Sequence, residues 1–582
     1  MTEHCPSART RFSGAALCAL LAAPAACGSN GSEPAGGAGS TVSHAGGSTQ
    51  DGTGATSTAG GAGSTLANGG NAAGARAQAG GSASGSGGAS AAGASTTGAG
   101  GRGAPVAGST GAGAAGGAHN AAGSTGASAA GGAGTTGGAS GGTAGSGKGG
   151  SSAGSAGGPS PSDMDLVVAP DGKDDAPGTL AEPTTLVSAL TRVGAGHTIF
   201  ARGGKYAFAE QVTIARDNSG TSAAPKSLVP YASEHPTLDF SAEPYGTDSN
   251  PRGLQLNGSF WHVRGLEVTG SADNGIYVAG NSNVIENCVT HGNRDTGLQI
   301  GRASSSDADM AAWPSNNLIQ NCESYDNYDE PPGGGENADG FAAKLTVGPG
   351  NVFRGCVSHH NIDDGWDLYT KTETGPIGPV TIDQCVAYAN GTLTDGTSNE
   401  NGDRNGFKLG GDDIAVAHVV TRSVAFKNGK NGFTWNSNPG AIRLSNTLAF
   451  DNAEGNYKFG DSSTSTSAVF TNNLSFWTTT ADTQSDKAIG TDTAGTNAWW
   501  DKSKAASSVA SKNLTITAAD FASSLASAKL VRAADGAPSF APFGLAAGSD
   551  LIDAGAVPAG TLPFTPADYY VGAPDLGAVE TP

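Results

Sequence analysis

The sequence predicts an all-β fold, a parallel β-helix or β-solenoid, and two observations carry that reading. The first is a recurring frame. IENCVTHGN, IQNCESYDN, FRGCVSHHN and IDQCVAYAN place Cys288, Cys322, Cys356 and Cys385 in one slot, and VTRSVAFKN, LSNTLAFDN and FTNNLSFW continue it with Ser423, Thr447 and Asn473. The spacing is 34 residues from Cys288 to Cys322 and again to Cys356, then 24 from Ser423 to Thr447 and 26 to Asn473. Units of that length bury a core only by stacking on their neighbours. The second observation is a Gly slot nine residues further on, at Gly297, Gly365 and Gly432.

Aligning on that slot stacks GIYV, GLQI, GFAA, GWDL, GFKL, GFTW and NYKF. Strand side chains alternate between faces. Ile276, Leu298, Phe341, Trp366, Phe407, Phe433 and Tyr457 should therefore point inward. So should Val278, Ile300, Ala343, Leu368, Leu409, Trp435 and Phe459. The residues between these two columns, Tyr277, Gln299, Ala342, Asp367, Lys408, Thr434 and Lys458, should point outward. The Cys column then reads as small apolar residues inside the solenoid rather than a disulfide framework, because in-register side chains run parallel.

Two rungs carry insertions. Cys322 to Gly340 is 18 residues and Cys385 to Gly406 is 21, against nine elsewhere. Both loops flank the rung bearing Asp363, Asp364 and Asp367, which predicts a cleft over it.

The rest of the chain is organised around this domain, expected over 163–582, with DLVVAPDGKDDAPGT in the opening coils and LIDAGAVPAG through APDLGAVE at the close. Residues 1–27 read as an export signal: Arg9 and Arg11 precede an apolar run from Ala15 to Ala26 too short to span a membrane. Its end, Pro24-Ala25-Ala26-Cys27, resembles the lipobox of bacterial lipoproteins, which makes Cys27 the expected lipid anchor; ordinary cleavage nearby is the alternative. Residues 28–162 are almost wholly Gly, Ala, Ser and Thr and are expected to be a disordered tether. A coil of that length spans about 60 to 70 Å. The expected location is secreted or on the cell surface, and the expected state a monomer. A net charge of -20 argues against nucleic acid as partner. It would also repel a polyanion, which needs a local cation to dock.

Chemistry concentrates where that cation would sit. The slot before Gly holds Asn274, Thr296, Asp339, Asp364, Asn405 and Asn431. Turn preference alone accounts for Asp in such a column. Asp367 is different, since Asp is depleted in strands. With rungs about 4.8 Å apart, Asp339, Asp363, Asp364 and Asp367 crowd together and repel unless a cation joins them. An all-oxygen set suits calcium better than zinc. Lys408, one rung beyond Asp367 in the outward column, is either a surface ion pair worth little or a base beside the anchor of an acidic substrate.

NADGFAAKL, GNVFRGC, NIDDGWDLY and NGFKLGG resemble the pectate lyases of polysaccharide lyase family 9, which are right-handed parallel β-helices. The resemblance implies that Asp339, Asp363, Asp364 and Asp367 bind calcium and that Lys408 is the base. The substrate is then polygalacturonate, an acidic polysaccharide cleaved by β-elimination to unsaturated oligogalacturonides. The ion stabilises charge as the C5 proton leaves, neutral Lys408 takes that proton, and the C4 oxygen departs. Arg404, expected near Asp363, and Lys344, on the Asp339 rung, are further candidates for substrate contact. The competing readings are another polyuronate activity on this fold, hydrolase or epimerase, and a surface β-helix that binds carbohydrate without chemistry.

Overall fold

The structure, a computed structural model, describes residues 162, 164–246, 250–331, 333–461, 464, 466–480 and 483–582. The export signal, Cys27, nearly all of the tether and the boundary residue 163 lie outside the described residues. Among those described, parallel strands form three sheets of 11, 10 and 10 strands, and successive rungs add one strand to each. This is the stacked solenoid the repeat requires.

The register matches the alignment on the Gly slot. Ile276, Leu298, Phe341, Trp366, Phe407, Phe433 and Tyr457 are paired strand to strand. All seven are buried in the core, as are the seven residues of the second inward column. Phe341, Trp366, Phe407, Phe433 and Tyr457 stack face to face with ring centroids 4.7 to 5.3 Å apart. Each stacked pair is worth about 0.5–1.5 kcal/mol beyond its buried area. That stack fixes the register of the neighbouring outward column, since a slip of one residue would turn every aromatic to the other face. Cys288, Cys322, Cys356 and Cys385 are buried free thiols within the core, as the column argument expects.

The terminal Asn of the recurring frame forms a buried ladder. Asn293, Asn327, Asn361, Asn390, Asn428 and Asn452 each direct both the backbone N–H and the side-chain NH2 to the Oδ1 of the next member, ending on Asn456. The turn at each rung thereby satisfies its polar groups without water.

Both ends are closed. The helix Leu186–Arg192, N-capped by Thr185, sets Leu186, Ala189 and Leu190 over the first rung. The C-terminal segment lays Phe543, Leu551 and Leu576 over Val357, Val386, Val424, Leu448 and Leu474, which face outward from the third sheet. His359, read from sequence as a surface residue, is instead buried. It stacks between Tyr325 and Tyr388 and contacts Glu323.

Candidate active site

The site lies on the outward face of the 10-stranded sheet built from Ile276–Val278, Leu298–Ile300, Phe341–Ala343, Trp366–Asp367, Phe407–Lys408, Asn431–Thr434 and Gly455–Phe459. Here Ala342, Asp367, Lys408, Thr434 and Lys458 are successive partners. Asp339 and Asp364 are stacked one turn earlier. Gly297 N–H donates to Asp339 O, Gly340 N–H to Asp364 O and Gly365 N–H to Asn405 O, so the slot before Gly forms a continuous column.

Asp339, Asp364 and Asp367 meet, each offering an oxygen within 4.8 Å of the others. Asp363 stands beside this group rather than in it, because its Oδ1 accepts from the backbone N–H of Asp403 and Arg404 in the second inserted loop. The cluster is buried rather than open to solvent as the sequence suggested: Asp339 and Asp364 have 0 % exposure and Lys408 has 8 %. The inserted loops account for this. Asn399 and Asn401 donate to Gly334 O, tying the later loop to the earlier one beside the acids.

Two lysines neutralise the carboxylates. Lys344 Nζ is 2.8 Å from Asp339 Oδ2 and 3.3 Å from Asp367 Oδ2. Lys408 Nζ is 3.0 Å from Asp403, 3.2 Å from Asp364 and 3.7 Å from Asp367. Burial pushes the Asp339 carboxyl up to about 7 and the Asp364 carboxyl up to about 8, even against the pull of Lys344 and Lys408. Burial also favours the neutral form of Lys408, but Asp367, Asp364, Asp403 and Asp363 outweigh it and hold the ammonium well above the ordinary lysine value. Tyr369 backs the amine, its ring centroid 5.6 Å from Nζ and its hydroxyl anchored on Asp412.

Sequence reading missed Asp403. It takes Lys408 on one oxygen and Lys430 on the other, 3.1 Å away, and these cations hold its carboxyl well below the usual range against the effect of burial. It stands in an insertion, outside the periodic columns, so no repeat could reveal it. Lys344 is shut in by Asp339 and Asp367, an ion-pair partner of the acids rather than a free contact. Arg404 reaches Asp363 through its backbone N–H, as its position suggested, while its guanidinium pairs with Glu400 at 3.3 Å.

Whether these residues fit a divalent cation can be tested on charge and distance. Asp339, Asp363, Asp364, Asp367 and Asp403 face Lys344, Lys408 and Lys430, which leaves two uncompensated negative charges. Oxygens bound to one calcium at about 2.3–2.6 Å lie within roughly 5 Å of each other, the separation found here. Asp364 Oδ2 is buried and accepts no hydrogen bond, although Lys408 lies within ion-pair distance. The donor set fits a hard cation.

The model of the Pel9A-like right-handed β-helix region matches residues 166–473. The chain belongs to that family, the pectate lyases of polysaccharide lyase family 9. Pectate lyase L of Paenibacillus polymyxa (strain SC2) is 53% identical over 399 residues, 68% of this chain and 85% of that protein. The crystal structure of pectate lyase Pel9A superposes with a TM-score of 0.57 at 31% identity, covering 71% of this chain and 96% of the other. A rhamnogalacturonan lyase superposes at 0.53 with 24% identity over 64% of this chain and 95% of its own, a likeness of fold. Family membership makes the solenoid a right-handed one, as the resemblance in sequence implied.

Proposed function

We propose that this polysaccharide lyase cleaves pectate by calcium-assisted β-elimination, with Lys408 as the base and Asp339, Asp364 and Asp367, joined by Asp363, as the cation site. One observation carries the reading: Lys408 stands one strand beyond Asp367, with its amine 3.2 Å from Asp364 and 3.7 Å from Asp367. A base is thereby held beside the place where an acidic sugar would be anchored.

Bound there, calcium would neutralise the acids and polarise the C6 carboxylate of a galacturonate unit, making its C5 proton more acidic. The chain's own residues do the rest. Asp364, Asp367 and Asp403 hold the Lys408 amine in a fixed direction, and Tyr369 limits its retreat. In its neutral form Lys408 accepts the C5 proton; the C5–H electrons form the C4–C5 double bond and the C4–O bond breaks toward the leaving sugar. No water is consumed. Lys344, paired with Asp339 and Asp367, maintains the carboxylates in register between turnovers. The domain works outside the cell as a monomer, held by the segment 28–162 and by Cys27, a reading supported by the sequence pattern.

The test is ultraviolet absorbance of polygalacturonate incubated with the purified protein, with and without a chelator. A rise from a conjugated double bond that the chelator abolishes is the expected result. Reducing ends without that rise would mean hydrolysis. That competitor has one feature in its favour, because a carboxyl with its pKa raised to about 8, as at Asp364, is the kind that serves as a general acid.

A further inference from the structure

Beyond Lys408 the outward column runs Lys408, Thr434, Lys458, Lys487, each directly paired with the next across parallel strands. At about 4.8 Å per strand, Lys458 and Lys487 lie roughly 10 and 14 Å from Lys408 along the solenoid axis. A cleft of about 240 Å³ opens over this stretch, lined by Asp403, Asn405, Lys430, Thr434, Lys458 and Lys487 among others. It adjoins the site directly, through Asp403.

Lys458 and Lys487 are the unusual pair. Like charges directly opposed on neighbouring strands destabilise a sheet. Neither lysine makes an ion pair with another described residue; Lys458 is half-buried and Lys487 exposed. The acids of the cleft are engaged elsewhere, Asp403 by Lys408 and Lys430 and Asp461 by the N–H of Thr464. On the other side of Asp367 the same column carries Ala342, Gln299 and Tyr277, with no charge. In a chain with net charge -20, a basic row on one side of the site only is an asymmetry that folding does not require.

Building on the activity proposed above, we infer that Lys458 and Lys487 are substrate-positioning residues that bind the carboxylates of successive uronate units on the Lys487 side of the cleavage point. A polymer lying along the axis crosses one strand in about the length of one sugar, so the row offers a cation to alternate or adjacent units. The protein therefore favours long, unesterified stretches that extend over this side. A chain too short to reach the row gains nothing from it.

The experiment compares wild type with Lys458→Met, Lys487→Met, the double variant and Lys458→Arg in the full chain, with folding checked by thermal melting. Initial rates from ultraviolet absorbance give KM and kcat on polygalacturonate and trigalacturonate at low and high salt. A charge-assisted contact is worth about 1.5–3 kcal/mol before solvent screening, so the double variant should raise KM on the polymer about 10-fold. The trimer should change much less, the salt dependence of KM should flatten, and Lys458→Arg should restore most of the loss. A double variant with the KM and salt dependence of wild type on the polymer overturns the inference. If wild type itself releases no unsaturated product, it is the elimination reading that fails. The row is then judged by calorimetric binding of polygalacturonate, where equal affinity of wild type and double variant overturns it and weaker binding by the double variant supports it.

Discussion

Two polar ladders run side by side through this solenoid, and they differ in one chemical respect. The ladder from Asn293 to Asn456 is all amide, buried and fully bonded, each member donating to the next and accepting from the last. The ladder before the Gly slot begins in the same way, with Asn431 donating to Asn405 and Asn405 to Asp364. There it changes. An ionised carboxylate accepts but cannot donate, so Asp364 and Asp339 lie stacked with only the Asp364 backbone N–H between them. The first ladder shows that an amide would complete the second. Aspartate at these two rungs is thus a departure from what stability favours, and buried like charges cost free energy. That cost is intelligible where a cation, and not another rung, is the intended partner.

The largest effect should come from the group that this departure serves. Lys408→Ala should lose on the order of 10² to 10⁴ in kcat, the usual contribution of a general base, while keeping its fold and its calorimetric calcium binding. Lys344→Ala, tested in parallel, should weaken calcium binding or stability first. A dead Lys344→Ala beside an active Lys408→Ala would reverse the assignment of the two lysines.

Next in size is damage to the uniform ladder. Asn361→Ala orphans the Nδ2 of Asn327 and the Oδ1 of Asn390, at about 1–3 kcal/mol for each buried group left unpaired. Chemical denaturation should register that loss, whereas kcat of the folded fraction should change little. A large fall in kcat with stability intact would show that the ladders are not functionally separate.

The sharpest comparison is Asp364→Asn, which turns the second ladder toward the first. Saturating calcium at 100 times its Kd should stabilise wild type by about 2.7 kcal/mol, seen as a rise in Tm. The variant should lose that rise while melting no lower than wild type in chelator. A calcium-dependent rise that survives the substitution would return Asp364 to simple turn chemistry.

The smallest effect concerns pH. His418 is buried, its Nδ1 accepts from Val380 N–H, and desolvation pushes its pKa from 6.5 down to about 3. Between those values the unfolded chain binds a proton that the native one refuses, so this residue's contribution is intact above pH 6.5 and drains away as pH falls toward 3. His418→Asn should flatten stability over that window. An unchanged acid limb of the Tm profile would place the sensitivity elsewhere, for instance at the buried Asp486, whose pKa is pushed up to about 7 by burial.

The columns Phe341–Trp366–Phe407 and Ala342–Asp367–Lys408 were legible before any coordinate, because the two-residue period of a strand and the repeat length together dictate which side chains stack and which face out. From that register the neighbourhood of Asp339, Asp364, Asp367 and Lys408 followed. The partnership of Lys408 with Asp403, the displacement of Asp363 onto the backbone of the second inserted loop, and the burial of the whole cluster were beyond its reach. Those features depend on how two aperiodic loops fold back and meet through Gly334, Asn399 and Asn401. Repetition encodes position along the solenoid; loop closure is a matter of non-local contacts, and only the folded chain brings residues 334 and 399 together.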